Sequence, residues 1–217
     1  MKELIIFDLD GTLLDTVADL AASTNHALSQ CGFPTHEAAA YRFFIGNGIN
    51  KLFERVLPEG EKSLEKVLKM RQHFLEYYGE HNAELTVPYS GISDLLQKLQ
   101  SEDYKLAIAS NKYQSGTMQL VEHFFPEIKF TAVFGQRENI PVKPNPTIVD
   151  DILALAKVEK SRVLYVGDSG VDMQTAHNAD IDACGVTWGF RPRAELEEFS
   201  PKYIVDKPEE ILKILAN

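Results

Sequence analysis

The chain has 217 residues, enough for one large domain or a core with a smaller companion, and its apolar fraction of 44% supports a sizeable core,. A formal net charge of −10 argues against a general partner for nucleic acid or an anionic membrane, both of which need a basic face,. It leaves a phosphorylated substrate open, because a metal and a few local cations overcome a distant negative field.

The first element is the apolar run Leu4-Ile5-Ile6-Phe7, which predicts a buried strand,. It ends in Asp8-Leu9-Asp10-Gly11-Thr12, a turn that sets two carboxylates at the C-terminal edge of the strand, where open α/β sheets bind ligands,. Asp8 and Asp10 are two apart and project to the same side if strand geometry persists,. A cation between them, or a proton on one, relieves their repulsion. Mg²⁺ with a phosphate ester uses both solutions: one carboxylate binds metal and attacks, the other carries the proton. Helical spacing follows at 16–31, through Val17, Leu20, Ala21, Thr24 and Leu28, with Asp15 or Thr16 as cap,. Further helical stretches fall at 36–44, 49–57 and 61–82, and this block has no convincing strand,.

From Pro88 onward strands alternate with helices. The strands are predicted at 105–109, 131–134, 162–166, 183–186 and 203–205, and the helices at 91–100, 113–124, 146–156, 170–178 and 208–215,. Such alternation implies a parallel sheet with helices on both faces, so an all-helical insert interrupts an α/β unit after its first strand. The chain would leave near 13–16 and return through Val87-Pro88-Tyr89-Ser90-Gly91, whose Pro and Gly suit a hinge,. Cys31 and Cys184 have apolar neighbours and no metal spacing, so free thiols in a reducing cytoplasm are expected,. The N-terminal run is broken at Asp8 and has no signal-peptide layout, and no segment approaches the ~20 apolar residues of a membrane span,.

Four motifs stand in order: Asp8-Leu9-Asp10-Gly11-Thr12, then Leu106-Ala107-Ile108-Ala109-Ser110-Asn111, then Lys143-Pro144-Asn145-Pro146, then Val163-Leu164-Tyr165-Val166-Gly167-Asp168-Ser169-Gly170-Val171-Asp172. Together they resemble the haloacid dehalogenase-like hydrolases, most of which are Mg²⁺-dependent phosphatases. The resemblance implies a Rossmann-like α/β parallel-sheet core, residues 1–14 and 90–217, with an inserted helical cap domain at 15–89.

It implies Asp8 as nucleophile, forming an aspartyl-phosphate, and Asp10 as general acid/base. Mg²⁺ would be held by Asp8, the backbone carbonyl of Asp10, and Asp168. Relatives that cleave carbon–phosphorus or carbon–halogen bonds lack an Asp at the position of Asp10. Thr12 offers a hydroxyl and an amide, and Ser110 a hydroxyl beside amides that can hold phosphate oxygens at the start of a helix. Asn111 could add its backbone NH; a Ser-Asn pair after a strand can also be a plain helix cap. The Lys143 ammonium would neutralise both the transferring phosphoryl group and Asp8. Asp172 lies one helical turn beyond Asp168 and can support the site by holding a metal-bound water. Asp180 stands where the family commonly has Gly and is expected in a left-handed C-cap.

The segment Arg42-Phe43-Phe44-Ile45-Gly46-Asn47-Gly48, with Leu52 and Arg55 following, is similar to the cap segment of bacterial phosphoglycolate phosphatases, as is Trp188-Gly189-Phe190-Arg191. The resemblance implies a small phosphorylated metabolite, 2-phosphoglycolate, as substrate. Gly46 and Gly48 would let cap backbone approach it, and Arg42, Asn47 and Lys51 are candidates to meet its carboxylate. The alternative is a helix–helix turn with surface cations. Other activities left open are a sugar phosphatase, a pyrophosphatase, a β-phosphoglucomutase-like phosphotransferase and a phospho-acceptor signalling module.

Overall fold

The computed structural model describes residues 1–216. Strand β1, Leu4–Phe7, is wholly buried and is followed by a two-residue strand β2, Leu14–Asp15. The helical insert comprises α1 (Val17–Gln30), a 3-10 turn at Ala38–Ala40, α2 (Tyr41–Phe44), α3 (Ile49–Val56) and α4 (Leu64–His81). The chain returns through β3, Val87–Pro88. Then come α5 (Ile92–Ser101), β4 (Lys105–Tyr113), α6 (Gln114–Phe124), β5 (Phe130–Gln136), α7 (Thr147–Ala156), β6 (Val163–Gly167), α8 (Gly170–Asn178), β7 (Asp182–Val186), α9 (Arg193–Glu198), β8 (Tyr203–Val205) and α10 (Glu209–Leu215).

Six strands form a parallel sheet in the order β5-β4-β1-β6-β7-β8. Strand alternation divides its side chains between two cores. Ile5 and Phe7 of β1 point with Leu106, Ile108, Leu164 and Val166 into the layer under α5, α6 and α10. Leu4 and Ile6 point with Ala107, Ala109, Val163 and Tyr165 into the layer under α7 and α8. A central parallel strand covered on both faces has no polar position to offer, which is why β1 reads as an unbroken apolar run. Each such side chain stabilises the fold by about 1.5–3 kcal/mol. Asp180 takes its left-handed φ of 58° after α8.

The insert has a third core of its own, built from Leu20 and Leu28 of α1, Tyr41, Leu52 and Phe53 of α3, and Met70, Phe74 and Tyr78 of α4. Phe190, from the loop after β7, joins it. Asp19, buried in α1, accepts from the Leu85 amide (3.0 Å) and from the Thr86 amide and hydroxyl (2.8 and 2.7 Å), so the outgoing and returning strands of chain are fastened together.

Several elements differ from expectation. The stretch 36–44 is not one helix. The Asn25 side chain both donates to the His36 carbonyl (2.8 Å) and accepts from its amide (3.0 Å), and Ala38–Ala40 bury nothing, so only the short helix at Tyr41 packs. Thr16 does not cap α1 with its side chain, because its hydroxyl donates to Asp10 Oδ1 at 2.7 Å. The antiparallel pair β2–β3 was invisible, being two residues long on each side (Leu14 opposite Pro88, Asp15 opposite Val87). Strand β4 runs on past Ala109 to Tyr113, and α9 forms at Arg193–Glu198, where no element was predicted.

Candidate active site

Strand β1 lies between β4 and β6, so the strand order reverses on either side of it and a crevice opens at the C-terminal ends of these three strands,. Asp8 follows β1, Ser110 to Lys112 lie in the last part of β4, and Asp168 follows β6. The turn after β1 passes hard against Asp168. Gly11 has φ +92°, and a Cβ there would strike that carboxylate, so the position needs Gly for both conformation and space,.

Lys143 Nζ lies 2.9 Å from Asp8 Oδ1 and 2.7 Å from Asp172 Oδ1. The loop carrying it is held by Asn111, whose Oδ1 accepts from the Lys143 amide (2.8 Å) and whose Nδ2 donates to the Lys143 and Gly46 carbonyls (3.1 Å each). The side chain of Asn111 thus ties the lysine loop to the insert. Asp172 is the N3 residue of a capping box at the start of α8,. Its Oδ2 accepts from the Ser169 amide (3.1 Å) and hydroxyl (2.6 Å), and the Tyr165 hydroxyl reaches its Oδ1 at 3.3 Å. Expected to support a metal-bound water, Asp172 instead has both oxygens committed to protein donors, Lys143 among them.

Asp168 Oδ2 accepts from the Phe190 amide at 2.7 Å, and its Oδ1 from the Thr12 hydroxyl at 3.3 Å. The Thr12 hydroxyl is therefore directed at the Asp168 carboxylate. Ser110 Oγ accepts from the Lys112 amide at 3.1 Å and faces the cleft, but β4 continues beyond it, so no helix starts there.

One carboxylate oxygen from each of Asp8, Asp168 and Asp172 lies within 4.8 Å of the others, and all three residues are buried. Only one ammonium, Lys143, sits among them. Burial pushes the Asp8 carboxyl well above its ordinary range, the Asp172 charge adds to this, Lys143 opposes it and Asp168 raises it further,. Burial and then Asp172 push Asp168 up to about 7, against the Phe190 amide. For Lys143, burial works against the charge, but Asp172 and Asp8 outweigh it and hold the ammonium well above its usual value. Hard oxygen donors brought close together, a surplus of buried negative charge and a second Asp8 oxygen left free by Lys143 fit a divalent cation,.

The cleft in front of Asp8 spans about 520 Å³ of space that includes open solvent. Its floor is Asp8, Asp10 and the segment Ser110 to Tyr113; the insert contributes Leu20, Ile45, Gly46, Gly48, Ile49, Leu52 and Phe74.

A family model for haloacid dehalogenase-like hydrolases matches residues 5–186. The chain belongs to the haloacid dehalogenase-like hydrolases. It is 32% identical to a phosphoglycolate phosphatase of Mesorhizobium japonicum, over 94% of this chain and 90% of the relative. It is 31% identical to one of Haemophilus influenzae, over 98% of each. Among solved structures it is similar to a predicted phosphoglycolate phosphatase from Haemophilus somnus (TM-score 0.91, 29% identity, 99% of this chain and 98% of the other). A haloacid dehalogenase-like hydrolase from Streptococcus pneumoniae is similar as well (TM-score 0.88, 26% identity, 99% and 98%). This hydrolase is a phosphatase, a phosphoric monoester hydrolase acting on small phosphorylated substrates. No helix among its described residues is long and apolar enough to cross a membrane.

The structure places the substrate-side candidates apart. Of the insert residues singled out, Gly46 and Gly48 line the cleft, whereas Arg42, Asn47 and Lys51 do not. Arg42 is exposed, with Asp15 at 4.0 Å; Lys51 pairs with Glu54 at 2.5 Å on the surface; Asn47 Oδ1 accepts from Arg55 at 2.6 Å. Each has a partner on the insert's outer side or at its base. Two residues of this hydrolase had no role assigned from the sequence. Lys112 is buried beside Asp10 (Nζ to Oδ1 3.0 Å, to Oδ2 3.3 Å) under the ring of Tyr78. Arg191 donates to the Arg42 carbonyl (2.7 Å) and the Ile45 carbonyl (2.9 Å), bracing the loop after β7 against the insert. No strand period could have flagged Lys112, since β4 bulges between Ala109 and Tyr113, and no sequence signal marked Arg191 as a brace.

Proposed function

We propose that the chain is an Mg²⁺-dependent phosphatase of 2-phosphoglycolate that works through an aspartyl-phosphate on Asp8. The observation that carries this is Asp8 itself, buried at the end of the central strand with one oxygen on Lys143, at the floor of a cleft that Asp10 and Ser110 share. Asp8, Asp168 and the backbone carbonyl of Asp10 would hold the metal. When bound, Mg²⁺ supplies positive charge to the phosphoryl oxygens and to the ionised carboxylates around it.

Asp8 attacks phosphorus and the bond from phosphorus to the ester oxygen breaks. Asp10 gives its proton to the departing alkoxide, then takes one from the water that attacks the aspartyl-phosphate, releasing phosphate and restoring Asp8. Lys143 keeps charge balance at Asp8, and the Ser110 hydroxyl is free to donate to a phosphoryl oxygen. Thr12 orients Asp168, and Asn111 orients Lys143. Residues 15–89 act as a cap over the core of 1–14 and 90–217. They exclude water from the cleft with Leu20, Ile45, Ile49, Leu52 and Phe74,. These apolar walls offer few partners to the hydroxyls of a sugar, which favours a short substrate. The two free thiols, Cys31 and Cys184, suit the cytoplasm,.

The deciding experiment is phosphate release over a panel of phosphorylated metabolites, with Mg²⁺ and with chelator. Release that is greatest with 2-phosphoglycolate and lost on chelation is expected. Phosphoryl transfer between hexose phosphates without net release would instead assign a mutase.

A further inference from the structure

The cleft presents a polar floor and an apolar roof, and the roof holds no cation. Of the two ammonium groups near the reacting centre, Lys143 lies behind Asp8 and is taken by Asp8 and Asp172. The other, Lys112, lines the cleft itself. Its side chain is 4% exposed. Two of its contacts go to one carboxylate, Asp10, so a third N–H has no protein acceptor,. Asp10 is in turn held by the Thr16 hydroxyl at 2.7 Å, which shares the task of satisfying that carboxylate.

We infer that Lys112 receives the carboxylate of the substrate, so that the cleft selects phosphomonoesters carrying an anionic group two or three bonds from the ester oxygen. The inference rests on the phosphoglycolate reading above and names the residue that makes it specific. Lys112 follows Ser110 by two residues where β4 bulges between Ala109 and Tyr113, and both residues line the cleft that Asp8 floors. Leu52 and Phe74 line the same cleft, and a charged pair beside apolar walls is stronger than one on the open surface,. The exposed cations Arg42 and Lys51 have neither the position nor the shelter.

The test compares 2-phosphoglycolate with ethyl phosphate, the same ester without the carboxylate, in the wild type, Lys112→Met and Lys112→Arg. Lys112→Met touches Asp10 as well and slows both substrates. The expected result is a loss in kcat/KM about ten- to a hundred-fold larger on 2-phosphoglycolate, seen mainly in KM, as fits one charge-assisted hydrogen bond. Lys112→Arg retains part of the preference. If the Met variant does not fold, Lys112→Gln, which keeps a donor for Asp10, carries the comparison with the same expectation. Equal losses on the two substrates, in kcat alone, would overturn the inference and leave Lys112 as a partner of Asp10. A wild type with no preference for 2-phosphoglycolate would overturn the substrate reading first and this inference with it; an intact preference in the variant would overturn this inference alone.

Discussion

Stripped of metal, the protein is expected to lose stability as pH rises from 4.5 to 7.5. Asp168 titrates at about 7 in the fold, raised from an ordinary 3.8 by burial and by Asp172. The folded state therefore binds that proton more tightly than the unfolded chain, and between these values it carries more protons. Its contribution is fully present below about 4, is lost as pH climbs toward 7, and changes little above. At about 1.4 kcal/mol per pH unit the interval amounts to about 4 kcal/mol. Asp8, raised by the same burial and by Asp172, acts in the same direction. Carboxylates held low, such as Asp206 beside Thr187 and Arg193, titrate below this window. The assay is urea unfolding in chelator at several pH values, followed by the fluorescence of the single tryptophan, Trp188, whose indole donates to the Thr12 carbonyl at 3.0 Å,. With saturating Mg²⁺ the slope should flatten or reverse, because binding needs the ionised carboxylates. Asp168→Asn should reduce the slope, leaving the part due to Asp8, make the chelated protein more stable than wild type at pH 7.5, and abolish stabilisation by Mg²⁺. A chelated midpoint that is flat or rises with pH, or an Asn variant no more stable than wild type, would refute the reasoning.

Asp8→Asn should abolish phosphate release, since an amide is a poor nucleophile; wild-type turnover in a clean preparation of it would sink the mechanism. Asp10→Asn should slow alkyl phosphates by about 10²–10⁴-fold. Phosphorylation of Asp8 by an activated aryl phosphate should suffer less, and an equal loss in that step for both would remove Asp10 from its role. Arg42→Ala and Lys51→Ala should change KM for 2-phosphoglycolate no more than for ethyl phosphate, because both side chains are solvated on the insert,. A selective tenfold rise in KM in either variant would return the carboxylate contact to the insert.

Legibility followed the length and periodicity of each signal. The run at β1 and its sequels at β4, β5, β6 and β7 are apolar because both faces are covered, so they stood out against the helices between them,. The pair β2–β3 is two residues long on each side and has no periodicity to detect. The failure at 36–44 has another cause: a helix-favouring stretch of alanines was overruled by two hydrogen bonds from Asn25, eleven residues earlier in the chain, which no local pattern encodes,. Helix α9 was hidden by its charge, although Glu195 accepts from the Gly170 amide at 3.0 Å and Leu196 is buried.

The site divides along the same line. Asp8, Ser110, Lys143 and Asp168 were identifiable because each closes or follows a legible element, and the parallel order brings those ends together without further information,. The substrate side depended on which way side chains turn. Arg42, Asn47 and Lys51 were plausible as charged or polar groups beside a glycine turn, yet Asp15, Arg55 and Glu54 satisfy them elsewhere, partners that differ only by which face of a short helix they share,. Lys112 was passed over because β4 was ended at Ala109. The strand runs on to Tyr113 through a bulge that turns both Ser110 and Lys112 to the cleft, and an ammonium so placed, sheltered by Tyr78 and held at Asp10, has the position from which a second charge on the substrate can be distinguished from its absence.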